Sequence, residues 1–244
     1  MNVHQSTISQ HIPVKLLRVD SAAALPQALD AAGLERSRPT LVIIGGASKL
    51  RDADFAKVER LFVEVLTPLA EAKRLNVVDG GTDAGVMRLI GQARAAANGT
   101  FPLIGVAPVG LVDLPEYRSN GAMSADVSPL EPHHTHCLLV PGHDWGDESA
   151  WIALVATHLA GTAGSAAVLI NGGEITWKDA AANALAGRDI VVVAGSGRTA
   201  DLIAAAHGGS PSDPRAASLL ASNHIQIIDL AYPQQLEAAL SALL

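Results

Sequence analysis

Four short apolar runs are each followed at once by a glycine-rich turn, and this pattern constrains the fold most. The four segments are residues 41–48, 76–85, 167–173 and 190–201. Continuous apolar runs of this length are typical of parallel strands that are buried on both faces. Glycine allows a sharp turn and a close approach by another molecule, and a helix N-terminus beyond the turn attracts anions. The pattern therefore predicts an α/β sheet whose strand ends hold an anionic ligand of about the size of a nucleotide.

The rest of the chain continues the alternation of strands and helices. Further strands are predicted near 14–19, 102–107, 136–140 and 225–230, with amphipathic helices between most of them. Short connections between consecutive β/α units favour an α/β fold of three layers with a mostly parallel central sheet of about seven or eight strands. No linker stands out, so we expect one domain over 1–244. A small N-terminal extension or lobe over 1–38 is the alternative.

Composition excludes several classes of function. The net charge of -7 and the lack of a basic stripe argue against a nucleic-acid polymer as partner. No run approaches the roughly 20 apolar residues of a membrane helix, so no membrane partner is expected. The single cysteine, Cys137, fits a reducing compartment, and we expect a cytoplasmic protein. Alanine-rich helices and the apolar last helix leave a homodimer open.

Two of the turns carry the most specific signals for phosphate. Asp79-Gly-Gly-Thr-Asp-Ala-Gly85 frees the backbone and offers a hydroxyl directly before a helix. Gly195-Ser-Gly-Arg-Thr-Ala-Asp201 adds Arg198, whose guanidinium can pair with a phosphate through two hydrogen bonds. The Gly-x-Gly-x-x-Gly signature and the P-loop are both missing from the sequence, which argues against a standard NAD-dependent dehydrogenase and an ATPase.

Five motifs in order give the chain a family resemblance. Gly45-Gly-Ala, the segment from Asp79 to Met87, His134-Thr-His136, Asn171-Gly-Gly173 and the segment from Gly195 to Asp201 together resemble the SLOG superfamily. The similarity is to its prokaryotic branch (LSDAT), which is related to the N-terminal domain of melastatin-type TRP channels. The resemblance implies a Rossmann-like fold and a signalling domain that senses ADP-ribose or a related NAD-derived nucleotide, read out by a separate effector protein.

The motifs and the turns together give a predicted ligand site. No obligatory cofactor and no metal are expected beside the nucleotide. The predicted ligand-binding residues are Gly45, Gly46, Asp79, Gly80, Gly81, Thr82, Asp83, His134, His136, Gly172, Gly173, Thr176, Gly195, Ser196, Gly197 and Arg198.

The LOG-type ("lysine decarboxylase-like") phosphoribohydrolases of the same superfamily supply an alternative, so enzymatic activity stays open. Their motif, Pro-Gly-Gly-x-Gly-Thr-x-x-Glu, corresponds here to Asn171-Gly-Gly-Glu-Ile-Thr-Trp-Lys-Asp179. Asp179 would replace the catalytic glutamate, and Arg198 or Arg88 would hold the phosphate. Ile175 in place of a glycine would crowd a close phosphate contact. These departures argue against hydrolysis without excluding it.

Other residues have competing interpretations. Alternation along a strand puts His134 and His136 on one face, where they could contact a ligand, form structural hydrogen bonds or, least favoured, bind a metal. Trp145 either stacks on a base or packs, and Asp147 is expected to cap the helix that follows. Asp79 either binds ribose hydroxyls or steadies its own turn. The region 108–132, which contains Tyr117 and Arg118, is expected to be a long loop and a candidate lid.

Overall fold

The computed structural model describes residues 3–6, 14–46, 52–114, 127–210 and 213–244. The strands are β1 Val3–Ser6, β2 Val14–Arg18, β3 Thr40–Gly45, β4 Asn76–Asp79, β5 Leu103–Pro108, β6 His136–Val140, β7 Ser165–Ile170, β8 Asp189–Ala194 and β9 Ile225–Asp229. The helices are α1 Leu25–Ala32, α2 Asp52–Leu61, α3 Thr67–Ala72, α4 Gly85–Ala96, α5 Ser149–Ala160, α6 Glu174–Leu185, α7 Arg198–His207, α8 Pro214–Leu220 and α9 Pro233–Leu243.

All nine strands belong to one sheet in the order β1-β2-β6-β5-β4-β3-β7-β8-β9. The eight strands from β2 to β9 are parallel, and β1 is added antiparallel to β2 at one edge. The predicted Rossmann-like architecture with a parallel central sheet is confirmed, and all eight predicted strands occur. Strand β1 was not predicted because its polar sequence, Val-His-Gln-Ser, carries no apolar run.

Helices cover both faces of the sheet, as alternation along buried strands requires. Helices α1, α5, α6, α7 and α8 pack on one face through a cluster that includes Val42, Ile44, Leu169 and Val192. Helices α2, α3, α4 and α9 pack on the other face through a cluster that includes Leu41, Ile43, Val168 and Val191. Because neighbouring residues of β3, β7 and β8 point to opposite faces and both faces are buried, these strands are apolar throughout.

The helical segment after β3 contains an irregular turn whose cause is Pro68. A π-helical turn spans Phe62–Leu66 between α2 and α3, and the Thr67 N–H bonds to the Phe62 carbonyl five residues earlier. Proline has no N–H to continue the regular pattern, so the wider turn comes directly before it. The sequence predicts a kink near the end of this segment, and the structure places the distortion just before Pro68. Within the described residues no helix is long and apolar enough to cross a membrane.

Candidate functional site

One cleft of the molecule lies at the switch point of the sheet. From β3 the chain builds β4, β5 and β6 on one side and then crosses to β7, β8 and β9 on the other. The turns after β3 and β7 therefore face each other at the carboxyl ends of adjacent strands. A Cβ on Gly46 would lie 3.7 Å from Gly172 and Gly173, so the two turns are in near contact. Open α/β sheets bind their ligands at this position.

A cleft of about 320 Å³ opens there. This volume is at the small end of the range of ligand pockets. The predicted site residues that line it come from the turns after β3, β4, β7 and β8, which are neighbours in the sheet. They are Gly45, Gly46, Gly80, Thr82, Gly173, Thr176 and Arg198, and Asp179 of the hydrolase alternative lines it too.

The turn after β7 is shaped by Asn171, which adopts a left-handed conformation with φ +57°. Its Oδ1 accepts the Gly172 N–H at 2.7 Å, and its Nδ2 donates to the Ser196 carbonyl at 2.8 Å. Helix α6 then begins at Glu174, and Thr176 Oγ1 accepts the Gly173 N–H at 2.9 Å. Thr176 thus secures the first turn of the helix from its third position. The result is a helix N-terminus held against the cleft.

The turn after β8 presents one cation. Arg198 begins α7, is exposed and lines the cleft, and no ion pair of Arg198 occurs among the described residues. A Cβ on Gly173 would lie 3.1 Å from one guanidinium nitrogen, which puts the cation beside the N-terminus of α6. Arg198 therefore adds a positive charge beside the first turns of α6 and α7, whose N–H groups also favour an anion.

The other three residues of that turn do not line the cleft. The Gly195 N–H donates to Asp201 Oδ1 at 2.7 Å, and Ser196 is buried. Ser196 Oγ accepts the Asn171 N–H at 2.7 Å and donates to the Val193 carbonyl at 2.6 Å. Gly197 lies against the Asn171 amide. These residues fix the position of Arg198.

The turn after β4 also contains residues that line the cleft and residues that are buried behind it. Gly80 and Thr82 line the cleft, whereas Asp79 and Gly81 are buried behind it. Asp79 Oδ1 accepts the Gly81 N–H at 2.8 Å, so this carboxylate steadies its own turn. Gly81 has φ +70°, and a Cβ there would lie 2.8 Å from the Gly105 Cα, so both the backbone and the packing require glycine. Gly172 is likewise buried, and Asp83 pairs with Arg88 at 2.7 Å outside the cleft.

His134 joins two buried carboxylates rather than lining the cleft. Its Nε2 lies 2.8 Å from Asp79 Oδ1, and its Nδ1 lies 2.8 Å from Glu131 Oε2. Burial alone would lower the pKa of His134, but Asp79 and Glu131 outweigh it and raise that pKa to about 9. The imidazolium therefore holds the turn after β4 to the loop before β6.

His136 also lies away from the cleft. Its Nδ1 lies 2.8 Å from Thr135 Oγ1, and its Nε2 lies 3.3 Å from the Ala32 carbonyl at the end of α1. Burial lowers the pKa of His136 to about 4, so this ring is neutral at ordinary pH. No group of three or more metal-ligating side chains occurs in the part of the chain that the structure describes. Tyr117 and Arg118 lie outside the described residues, and Cys137 is buried.

Three further residues line the cleft, and two of them are acidic. They are Trp145, Glu148 and Asp179, and together they are called the acidic wall. Ser149 Oγ donates to Asp179 Oδ1 at 2.6 Å, and the Gly146 N–H donates to Glu148 Oε2 at 2.7 Å. Desolvation, with the charge of Glu148, raises the pKa of Asp179 to about 7. Desolvation also raises the pKa of Glu148.

The segment before α5, which carries Trp145 and Glu148, differs from its prediction in the role of Asp147. Helix α5 begins at Ser149, and Asp147 does not cap it as predicted, because Glu148 lies at the cap position. Asp147 Oδ2 instead accepts the N–H groups of His143 and Asp144 at 3.0 and 3.1 Å. Those bonds fold the preceding turn. Its glycine, Gly146, packs on Lys178 and Ile175 of α6, which brings Trp145 and Glu148 to the cleft.

Sequence reasoning missed Glu148 as a site residue because nothing in its sequence neighbourhood distinguishes it from the adjacent acids. Asp144, Asp147 and Glu148 lie within five residues, and only Glu148 is buried. The available signal is Trp145, an aromatic residue shortly after the end of β6, for which the sequence leaves both stacking and packing open. Other lining residues without a predicted role are Ile43, Met87, Ile152 and Glu174, and Ile175, which was expected to crowd a phosphate, lines the cleft too.

A parallel sheet with helices on both faces and a cleft at its switch point defines a Rossmann-like α/β protein. The family model described as SLOG in TRPM, prokaryote, matches residues 38–238, which is more than half of the chain, and the chain belongs to this family. The predicted family is thereby confirmed. Family and fold are consistent with a nucleotide-related function.

A solved structure shares the fold. The X-ray structure of TM1055, a target of the Northeast Structural Genomics Consortium, is similar with a TM-score of 0.50 and 18% sequence identity. The similarity covers 82% of this chain and 99% of that chain. Among curated proteins, none matches this sequence.

Proposed function

We propose that this protein binds ADP-ribose or a related NAD-derived nucleotide and acts as a sensor of it. The observation that carries the proposal is the convergence of the turns after β3, β4, β7 and β8 on one cleft that contains the exposed Arg198. The phosphates would lie against Gly46, Gly80 and Gly173 at the N-terminus of α6. Arg198 would supply the counter-charge, and a separate effector protein would read the bound state.

Chemistry within the cleft supports this distribution of roles. Backbone N–H groups at a helix N-terminus bind phosphate without side chains, and the helix dipole adds to the attraction. A guanidinium beside them can donate two parallel hydrogen bonds to a phosphate. Arg198 has no competing carboxylate within ion-pair distance among the described residues, so it is available to a ligand.

Calorimetry with Arg198→Ala tests the proposal. Loss of one charged hydrogen bond should weaken ADP-ribose binding by about 1.5–3 kcal/mol. Arg88→Ala is the matched control, because Arg88 is an exposed arginine that pairs with Asp83 outside the cleft. Equal affinity in the wild type and in Arg198→Ala would refute the assignment of Arg198. Loss of affinity in Arg88→Ala alone would move the phosphate site to α4.

A second candidate function is hydrolysis of the N-glycosidic bond of a nucleotide, and Asp179 favours it. This carboxyl lines the cleft and its pKa is raised to about 7, which suits a group that gives or takes a proton at neutral pH. Incubation with nucleoside monophosphates, NAD and ADP-ribose, followed by chromatography for freed base, distinguishes the two functions. Turnover that disappears in Asp179→Asn would establish the enzyme. Nucleotides that stay intact would favour the sensor instead.

A further inference from the structure

The acidic wall has a composition that phosphate binding does not explain. Two carboxyl groups, on Glu148 and Asp179, line the same small cleft as Arg198, and Trp145 lines it too. An anionic ligand alone would be repelled by this wall. The pair must therefore either disfavour ligands or bind a part of the ligand that is not anionic.

Both carboxyl groups accept a hydrogen bond from the protein, and Asp179 keeps one oxygen without such a bond among the described residues. Ser149 occupies Oδ1 of Asp179, and the Gly146 N–H occupies Oε2 of Glu148. No hydrogen bond to Oδ2 of Asp179 occurs among the described residues, and neither carboxyl group forms an ion pair there. The carboxylate of Glu148 interacts with its own backbone N–H as well as with that of Gly146. Glu148 is 6% exposed, so its carboxylate lies in a largely buried side chain that lines the cleft.

The charged groups around Glu148 and Asp179 do not neutralise these two carboxyl groups. Lys178 on α6 lowers the pKa of both carboxyls, but it is exposed and makes no ion pair with either within the described residues. Asp147 adds a further negative charge beside Glu148. Glu174, which also lines the cleft, is paired with Arg215. A cation bound between Glu148 and Asp179 would relieve their mutual repulsion.

We propose that Trp145, Glu148 and Asp179 form a subsite for a nucleotide base that carries a positive charge at its glycosidic nitrogen. Carboxylates attract the charge, and an aromatic face stacks on a cationic ring. The inference rests on the proposed function, since Arg198 and the glycine turns hold the phosphate of the same molecule. The cleft thus selects zwitterionic nucleotides over nucleotides whose base is neutral.

The spacing along α6 agrees with such a ligand. Asp179 lies five residues after Glu174, the first residue of the helix, and this corresponds to a rise of about 7.5 Å. The phosphate would lie at the helix N-terminus and the cationic ring near Asp179, with one ribose between them. A cleft of about 320 Å³ suits the mononucleotide half of a dinucleotide.

The oxidised and reduced nicotinamide dinucleotides provide matched probes, because their rings differ in charge and little in size. Calorimetry with NAD⁺, NADH and ADP-ribose measures the preference directly, with chromatography before and after to verify that the ligands stay intact. We expect NAD⁺ to bind the wild type at least about tenfold more tightly than NADH, which corresponds to one pKa unit of charge interaction.

Two isosteric variants locate the preference. Glu148→Gln and Asp179→Asn retain a carbonyl oxygen for the Gly146 and Ser149 donors, so the fold should persist. Each should reduce the ratio of NAD⁺ to NADH affinity, and the double variant should bring it near one while ADP-ribose binds as well as before or better. Trp145→Leu should weaken NAD⁺ more than ADP-ribose. Glu59→Gln, which removes one exposed charge far along the chain on α2, is the charge-matched control.

The outcomes separate the two proposals. Equal affinity of the wild type for NAD⁺ and NADH, or a preference that survives in the double variant, would overturn the cation subsite while leaving nucleotide binding intact. Binding of none of the three probes would overturn the proposed function and this inference together.

Discussion

Asn171 and Ser196 bind each other across the ends of two adjacent strands. The Asn171 N–H donates to Ser196 Oγ at 2.7 Å, and Asn171 Nδ2 donates to the Ser196 carbonyl at 2.8 Å. The Asn171 carbonyl in turn accepts the Ala200 N–H at 3.0 Å. These bonds join the turns after β7 and β8 into one rim, and they hold Arg198 beside the N-terminus of α6.

Asn171 also explains a departure from the phosphoribohydrolase motif, and it yields a prediction. That motif has proline at this position, whereas φ of Asn171 is +57° and proline is restricted to about -65°. Asn171→Pro should therefore destabilise the protein by about 3 kcal/mol or more, through backbone strain and lost hydrogen bonds. Asn171→Gly keeps the conformation and should cost only about 1–2 kcal/mol. Urea unfolding that ranks the two variants in the opposite order would contradict this account of the turn.

Two glycines of the cleft should respond differently to alanine. Gly45 has φ +154°, and a Cβ there would lie 2.0 Å from the Ile170 carbonyl oxygen, so Gly45→Ala should destabilise the fold by about 2 kcal/mol or more. Gly173→Ala meets only the end of the Arg198 side chain at 3.1 Å. It should change stability by less than about 1 kcal/mol yet weaken ADP-ribose binding. Thermal unfolding and calorimetry on both variants measure this contrast; a stable Gly45→Ala protein would disprove it.

Stability should decline at alkaline pH because of His134. Its pKa is raised to about 9 by Asp79 and Glu131 against the effect of burial, so its contribution is complete below about pH 6.5 and is lost as pH rises through about 9. We expect the free energy of unfolding to fall by roughly 2 kcal/mol between pH 7 and 9.5. In His134→Gln this part of the pH dependence should disappear. A variant curve parallel to that of the wild type would show that other groups cause the decline.

Asp179 should cost the protein stability at neutral and alkaline pH. Desolvation raises the pKa of Asp179 to about 7 from an ordinary value near 3.8, so the folded state favours the protonated carboxyl. The contribution of this group to the free energy of unfolding is therefore complete below about pH 3.8 and is lost as pH rises through 7. Asp179→Asn should therefore be more stable than the wild type at pH 8, by on the order of 2 kcal/mol. Glu59→Gln should show no such gain. Equal unfolding midpoints for Asp179→Asn and the wild type would mean that the carboxylate is well solvated.

The sequence predicted the sheet because its strands are uninterrupted apolar runs, which only burial on both faces explains. Residues 41–44 and 190–193 show this most clearly. Helix α8 was not predicted, because its seven residues follow a region rich in Gly, Ser and Pro that is typical of a loop. Strand order is set by packing between distant segments, so the position of the switch point between β3 and β7 emerged only from the structure.

The sequence predicts which turns meet at the candidate cleft, but not which of their side chains line it. Turn positions follow from glycine spacing, and Gly46, Gly80, Gly173 and Arg198 indeed share one cleft. Whether a residue such as Asp79 faces the ligand or the protein depends on contacts with a distant residue, His134. Glu148 could not be recognised either, since its burial depends on the packing of Gly146 against α6.

A crystal structure of the protein with ADP-ribose tests the central claim most directly, because it locates the diphosphate. We predict phosphate oxygens within hydrogen-bond distance of the Arg198 guanidinium and of backbone N–H groups in the turns that carry Gly46, Gly80 and Gly173. A nucleotide bound elsewhere, for example in the apolar groove between α6 and α8 that Trp177 and Leu185 line, would contradict the account.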